Sequence, residues 1–206
     1  MSVLRQAQDD NFGEELQALV FKNRGALLSV PAVLLSLFGK PSAFSIAFGL
    51  PLAFLGEALR CWAVGYSGAT TRGDQVEAAK LVTAGPYAHV RNPLYLGNFI
   101  TAAGFTIAFT GKNSFFAKAA LATTALGTVA GVYSIVIPHE ERFLEREFGE
   151  EFAAYCERVP PLIPLCEPAE DGAGDYDPDV LLSSESKTFV TFASVLAMLA
   201  LKAIKA

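Results

Sequence analysis

The chain has 206 residues, of which 52% are hydrophobic and only 18% charged. Its mean hydropathy is +0.36 and its isoelectric point is near 5.1, whereas an ordinary soluble domain carries about 25% charged residues. That balance excludes a disordered chain and, with no basic stripe, argues against a nucleic-acid partner.

The first residues, MSVLRQAQDDNFGEEL, are polar and acidic and do not read as a cleavable signal peptide. Apolar runs follow, and a helix needs about 20 residues to cross a bilayer. Gly25–Gly39 is a charge-free run of 15 residues and Pro41–Gly56 is one of 16. The second extends past Glu57 and Arg60 to Tyr66. Pro31 should kink the first run, and the short Lys40-Pro41 connector predicts a helical hairpin. Glu57 and Arg60 stand i, i+3 on one helix face, where they can pair. At membrane depth such groups are functional candidates, with Arg60 a candidate substrate-binding residue; the equal alternative is that both lie at the helix end in the headgroup layer.

Asn92–Gly111 and Ala119–Pro138 are each 20 residues without a charge and meet the length requirement. Glycines 97, 104, 111, 127 and 131 offer close helix packing, with Gly127 and Gly131 forming one small-residue pair. Residues 167–179, EPAEDGAGDYDPD, hold six acids and no base. They read as a solvated linker, and the rest of the chain is nearly neutral. Thr188–Leu201 is a last apolar run of 14 residues, which spans or lies in the interface. The expected organisation is a membrane domain over 1–165, an acidic linker over 166–187 and a hydrophobic helix over 188–206.

The expected fold is therefore all-α: a polytopic membrane bundle of four to five transmembrane helices. With five crossings and a cytosolic N-terminus, eleven Lys and Arg residues fall inside and five outside. This topology puts the polar segments 67–92 and 139–187 together on the cytosolic face. The host would be an inner membrane in a bacterium or the endoplasmic reticulum in a eukaryote.

Those two segments carry the chemistry. In Lys80-Leu-Val-Thr-Ala-Gly-Pro-Tyr-Ala-His-Val-Arg-Asn-Pro-Leu-Tyr-Leu-Gly97, Gly85-Pro86 forces a turn and Pro93 starts the next helix. Free N–H groups at that helix start favour an anionic group. Arg91 offers a fork for a carboxylate, and Tyr87 and Tyr95 offer aromatic faces to a cation. In the second segment, Leu144, Phe148, Phe152, Tyr155 and Val159 make an amphipathic stripe that predicts an interfacial helix over 139–158. Glu140 and Glu141 sit where it leaves the membrane. His89 and His139 have no required partner and read as surface histidines. There is no Ser/His/Asp grouping, no metal-ligand cluster and no GxGxxG. Cys61, Cys156 and Cys166 are too few for a disulfide framework or a zinc site and read as free thiols.

Leu81-Val-Thr-Ala-Gly-Pro-Tyr87, Val90-Arg-Asn-Pro-Leu-Tyr-Leu-Gly97, Glu140-Glu141 and Phe148-Gly-Glu-Glu-Phe152 together resemble the isoprenylcysteine carboxyl methyltransferase family. The broader group includes phospholipid N-methyltransferases. The resemblance covers about 80–164 and implies an integral membrane methyltransferase using S-adenosylmethionine. By that resemblance the cofactor lies in a cytosolic-side pocket. Ala79, Lys80, Leu81 and Val82 would line it, with Gly85 and Tyr87 packing beside them. Asn92, Pro93, Leu94 and Tyr95 would hold the adenosyl and amino acid parts, and Glu140 and Glu141 a polar end. Arg91, Asn92 and Tyr95 are the candidate catalytic residues. A lipophilic acceptor, prenylcysteine-type or a related isoprenoid or lipid, would enter from the surrounding membrane lipids.

Two positions depart from the family pattern. Asn92 stands where an Arg-His-Pro run usually carries His, and an amide takes no proton near pH 7. Val136 stands where eukaryotic prenylcysteine enzymes carry an Arg. Other readings remain: a phospholipid N-methyltransferase, an NADPH-dependent steroid-reductase-like enzyme, or a non-catalytic membrane protein.

Overall fold

A computed structural model describes residues 2–68, 80–164, 167–168 and 172–205. Helices dominate: α1 (Ser2–Phe38), α2 (Ala43–Ser67), α3 (Pro93–Phe109), α4 (Phe115–Phe148), α5 (Glu150–Arg158) and α6 (Asp179–Lys205), with a 3-10 turn at Gly85–Ala88. No strand occurs among the described residues. Segments Glu15–Phe38, Ala43–Ser67, Phe115–Phe148 and Ser184–Lys205 are each long and apolar enough to cross a bilayer. Helix α3 is a shorter apolar helix packed among them. The chain is thus a polytopic helical membrane bundle, as its hydropathy predicts.

Two hairpins build the bundle, and their turns are stapled together at one end. The Lys112 amide donates to the Lys40 carbonyl at 2.7 Å. The Lys40 amide donates to Asn113 Oδ1 at 2.7 Å, and Asn113 Nδ2 to the Phe38 carbonyl at 3.0 Å. Lys202 Nζ, near the end of α6, reaches the carbonyls of Leu37 and Gly39 at 3.2 and 2.9 Å. At the opposite end Glu185, near the start of α6, meets Arg60 of α2. So α6 runs the height of the bundle antiparallel to α2, and does not lie across it. It also starts at Asp179, earlier than the expected boundary at 188.

Helices α2 and α3 make the tightest seam. A Cβ on Gly104 would lie 2.7 Å from the Ala53 Cα, and one on Gly49 would lie 2.7 Å from the Ala108 Cβ. Gly56 and Gly97 approach the facing helix in the same way. Bare backbone here lets dispersion contacts replace the hydrophobic drive that lipid cannot supply. Ser45 adds a hydrogen bond from its hydroxyl to the Ala108 carbonyl at 2.9 Å. Gly127 and Gly131, the pair whose spacing suits packing, face outward: a methyl group added to either would meet nothing within 4 Å. The small-residue signal holds for α3 and fails for α4, because glycine spacing alone does not say which face meets protein.

The charged helix expected over 139–158 is not one element. Helix α4 continues through Pro138 to Phe148, since neighbouring groups can satisfy the backbone a proline frees in a membrane helix. It ends at Gly149, whose φ of 50° suits glycine and whose amide donates to the Glu145 carbonyl at 2.9 Å. Helix α5 follows directly. The predicted stripe still acts as one surface: Phe152, Tyr155 and Val159 are buried with Leu81, and Leu144 and Phe148 pack beside them.

Where it is described the acidic stretch is solvent-exposed, but its backbone is tied down. Thr83 and Ala84 both donate to the Ala173 carbonyl, at 2.9 and 3.1 Å, and the Asp177 amide donates to the Gly65 carbonyl at 2.8 Å. Tyr176 stacks on Tyr66 with ring centres 5.6 Å apart. A few backbone bonds thus hold this composition down despite its charge. Cys61 and Cys156 are free thiols; Cys166 lies outside the described residues.

The seam yields a test. Gly104→Ala should cost about 1–3 kcal/mol by overpacking, seen as a lower unfolding temperature in detergent. Gly127→Ala should hold or slightly raise that temperature, because an open helical site gains from alanine. Equal effects would mean the seam is not where the bundle is tight.

Candidate functional site

At the end opposite the hairpin turns, a cavity of about 660 Å³ opens between the helices. Its wall takes Lys80, Leu81, Val82 and Tyr87 from the loop before α3, and Asn92, Pro93, Leu94 and Tyr95 from the start of α3. Helix α4 contributes Glu140 and Glu141, α5 contributes Phe152 and Tyr155, and Arg60 and Arg91 face it as well. The two polar segments singled out in the sequence therefore meet in one chamber. Gly85 does not line it but makes its corner: φ is 60°, and a Cβ there would press into the Tyr66 ring. Ala79 lies outside the described residues.

The loop is held by the chain that follows α5. The amides of Arg91 and Asn92 donate to the carbonyls of Pro160 and Pro161 at 2.9 and 3.1 Å. The Tyr155 hydroxyl donates to the Tyr87 carbonyl at 2.7 Å. Arg91 is the centre of the clamp. Its Nε donates to Glu141 Oε1 at 2.9 Å, and its Nη1 to the carbonyls of Val159 and Cys156 at 2.7 and 3.3 Å. The fork expected to meet a ligand carboxylate is thus closed on the protein itself. Asn92 belongs to the same clamp. Its Nδ2 donates to Glu141 Oε1 and to the Pro161 carbonyl, both at 3.2 Å, and does not cap α3.

Tyr95 points the other way. Its hydroxyl donates to Glu140 Oε1, and its ring tilts on Tyr133 with centres 4.4 Å apart. The paired phenol and carboxylate give the chamber a polar patch against an apolar wall. Electrostatics outside the spanning helices follow burial. Desolvation pushes the phenols of Tyr87 and Tyr155 well above their usual range, so both stay neutral donors. Burial also raises the Cys156 thiol, which opposes thiolate chemistry there. Burial pulls the Arg91 guanidinium down, but its bond to Glu141 and the attraction of that charge outweigh it, for a net rise.

Deeper in the chamber Arg60 is held from several sides. Nη2 donates to Glu185 Oε2 at 2.8 Å, Nη1 donates to Asn98, and Nε lies 3.5 Å from Glu57 Oε2. The i, i+3 pair read from the sequence exists, but Glu185 is the nearer carboxylate. Glu185, Asn98 and Tyr133 are not among the residues the sequence singles out. Glu185 carries only a faint signal, a lone acid just before the last apolar run. Val136 is fully buried beside Tyr133 and Tyr95. The two histidines sit against rings, His89 on Trp62 and His139 on Phe21. Among the described residues no group of three His, Cys, Asp or Glu is arranged to hold a metal ion.

The structure thus defines an integral membrane helical bundle with a mostly apolar chamber that carries a few polar groups. The family model for phospholipid methyltransferases matches residues 44–151, and the chain belongs to that family. It is 32% identical over 122 residues to protein-S-isoprenylcysteine O-methyltransferase B of Arabidopsis thaliana, covering 57% of this chain and 58% of that one. It is equally 32% identical over 124 residues to a probable protein-S-isoprenylcysteine O-methyltransferase of Oryza sativa subsp. indica, covering 58% and 61%. The chain thus spans about three fifths of the length of these relatives. No solved structure matches it significantly.

Arg91→Lys keeps the charge but cannot serve one carboxylate and two carbonyls together. It should lose about 1–2 kcal/mol of stability, read as a lower unfolding temperature. Alkylation of Cys156 by iodoacetamide at neutral pH should quicken as α5 loosens. An unchanged melt and an unchanged alkylation rate would show that the clamp does not hold the loop.

Proposed function

We propose that the chain is an S-adenosylmethionine-dependent membrane methyltransferase acting on a lipophilic acceptor, with its chamber on the cytosolic side. The observation that carries this reading is the union of Lys80–Val82, Tyr87, Asn92–Tyr95 and Glu140 on one cavity wall. The donor set fits the cofactor: aromatic faces for a sulfonium, backbone edges for an adenine, and a phenol–carboxylate pair for an ammonium or ribose hydroxyls. When bound, S-adenosylmethionine supplies an already activated methyl group, so the protein need only position and desolvate.

The residues divide by what they hold. Tyr95 and Glu140 contact the cofactor directly. Arg91 and Asn92, expected to be catalytic, act as positioning residues that fix the loop through Glu141. Asn92 in place of His removes a proton acceptor, which an ionised carboxylate acceptor does not need. Helices α4 and α5 exclude water from the reacting atoms. The acceptor proposed is a prenylcysteine-type carboxylate, by analogy with the relatives named above. A second reading, a phospholipid amine, is favoured by the corner at Arg60, where two carboxylates surround one guanidinium.

S-adenosylhomocysteine should stabilise the purified protein and NADPH should not. At a hundredfold excess over its dissociation constant the gain would be about 2.7 kcal/mol. Tyr95→Phe and Glu140→Gln should each weaken that binding by about tenfold or more, the loss expected for a charge-assisted hydrogen bond, while both variants remain folded. Stabilisation by NADPH instead, or undiminished binding in both variants, would remove the assignment. With labelled cofactor and a membrane lipid extract, an alkali-labile product marks an ester and an alkali-stable one a methylated amine.

A further inference from the structure

The chamber extends past the cofactor-side residues to a helix that lies beyond the matched stretch 44–151. Helix α6 contributes Glu185, Lys187, Thr188, Thr191, Phe192 and Val195 to the wall. Glu185, Phe192 and Leu199 are buried at 1%, 9% and 3% exposure. They follow one another every seven residues, or two helical turns, so they form one stripe. Val190, Met198 and Leu201 are exposed on the remaining surface and suit lipid. The inward stripe is graded. Its polar members lie near Arg60, and its apolar members lie toward the hairpin turns.

The attachment of α6 is equally specific. Glu185 is clipped to Arg60 at one end, and Lys202 to the carbonyls of Leu37 and Gly39 at the other. Between the clips Phe192 meets Phe54 and Phe105, at 5.2 and 5.1 Å between ring centres. Leu35 of α1 joins the same cluster. A helix pinned at its ends, and lining a cavity between, is a wall of that cavity and not only an anchor.

We propose that α6 is the acceptor-side wall of the chamber: a long hydrocarbon chain lies along Thr188, Phe192 and Val195, and Glu185 positions the acceptor's polar end through Arg60. The proposal rests on the methyltransferase reading for the identity of the acceptor. The gradient from carboxylate through threonine to phenylalanine matches an amphipathic molecule whose head faces Tyr95 and Glu140. Phe192 then sets how much chain the chamber takes. The shared chemistry, a single extended chain on a small polar head, belongs to prenylcysteines and to membrane lipids alike.

Photolabelling of the intact protein in nanodiscs tests this without turnover. One arm uses a farnesylcysteine analogue with a diazirine near the end of its chain. The other uses phosphatidylethanolamine with a diazirine in one acyl chain. Label on Thr188, Phe192 or Val195, above the level on outward Val190 and Met198, is the expected result in at least one arm, and that arm names the source. Label confined to outward residues or to other helices, or no label in either arm, overturns the proposal. In assays with whichever acceptor labels, Glu185→Gln and Phe192→Ala should raise the acceptor KM about tenfold. Glu185→Asp should restore most of the loss at 185. Stabilisation by S-adenosylhomocysteine should be unchanged in all three variants, so failure of the cofactor reading shows in the wild type and failure of this one in the variants. An unchanged acceptor KM in folded variants also overturns it.

Discussion

A charge inside an apolar bundle must be met by another charge or by hydrogen bonds, and here that constraint shapes how α6 and the segment after α5 are held. Arg60 sits well within α2, where leaving it alone would cost several kcal/mol. Glu57 on the same helix stands 3.5 Å from Nε, which makes no hydrogen bond. Glu185 completes the shell from the far end of the chain. That demand docks α6, and the docked α6 lines the cavity. The Arg91 clamp applies the same rule near the surface, with Glu141 and two carbonyls as the partners. In each case a guanidinium fixes the approach of segments that sequence distance separates widely.

The second ingredient is a rigid floor. The glycine seam between α2 and α3 brings two backbones so close that neither helix can slide without steric conflict. Pro93 begins α3, so the height of Tyr95 relative to α4 follows from that seam. The distance from Tyr95 to Glu140 is then a property of the bundle and not of loop flexibility. A site built this way on helix ends is held more firmly than one built on loops alone.

Four spans were legible because a bilayer demands length and a lack of charge, and both can be counted in a sequence; Asn92–Gly111 meets that count as a run but forms only the 17-residue helix α3. The pairing of the two polar segments was legible for a related reason, since hairpin topology puts alternate connections on one face. Local polarity was less reliable where tertiary contacts decide the outcome. Residues 172–177 read as linker, yet Ala173 and Asp177 are tied to Thr83, Ala84 and Gly65, mostly by backbone groups and once by the Thr83 hydroxyl. Gly127 and Gly131 satisfy the spacing for helix packing and still face outward. Glu185 was hidden because its role depends on Arg60, more than a hundred positions away. Patterns of period and charge describe single elements, and such partners exist only in the assembled fold.

The two departures from the family pattern take on meaning in this frame. Asn92 is not an impaired base waiting for a proton. Its amide bridges Glu141 and the Pro161 carbonyl, so it reinforces the clamp that Arg91 makes. Val136 fills a core position against Tyr133 and Tyr95. Positive charge in the chamber comes instead from Arg60, balanced by carboxylates from α2 and α6, with Arg24 and Lys187 also on the wall. An acceptor head entering there exchanges hydrogen bonds with an existing network and does not meet a bare cation. The chemistry proposed for the chamber needs only that: a methyl donor held in place, an acceptor held in line, and water kept away from both.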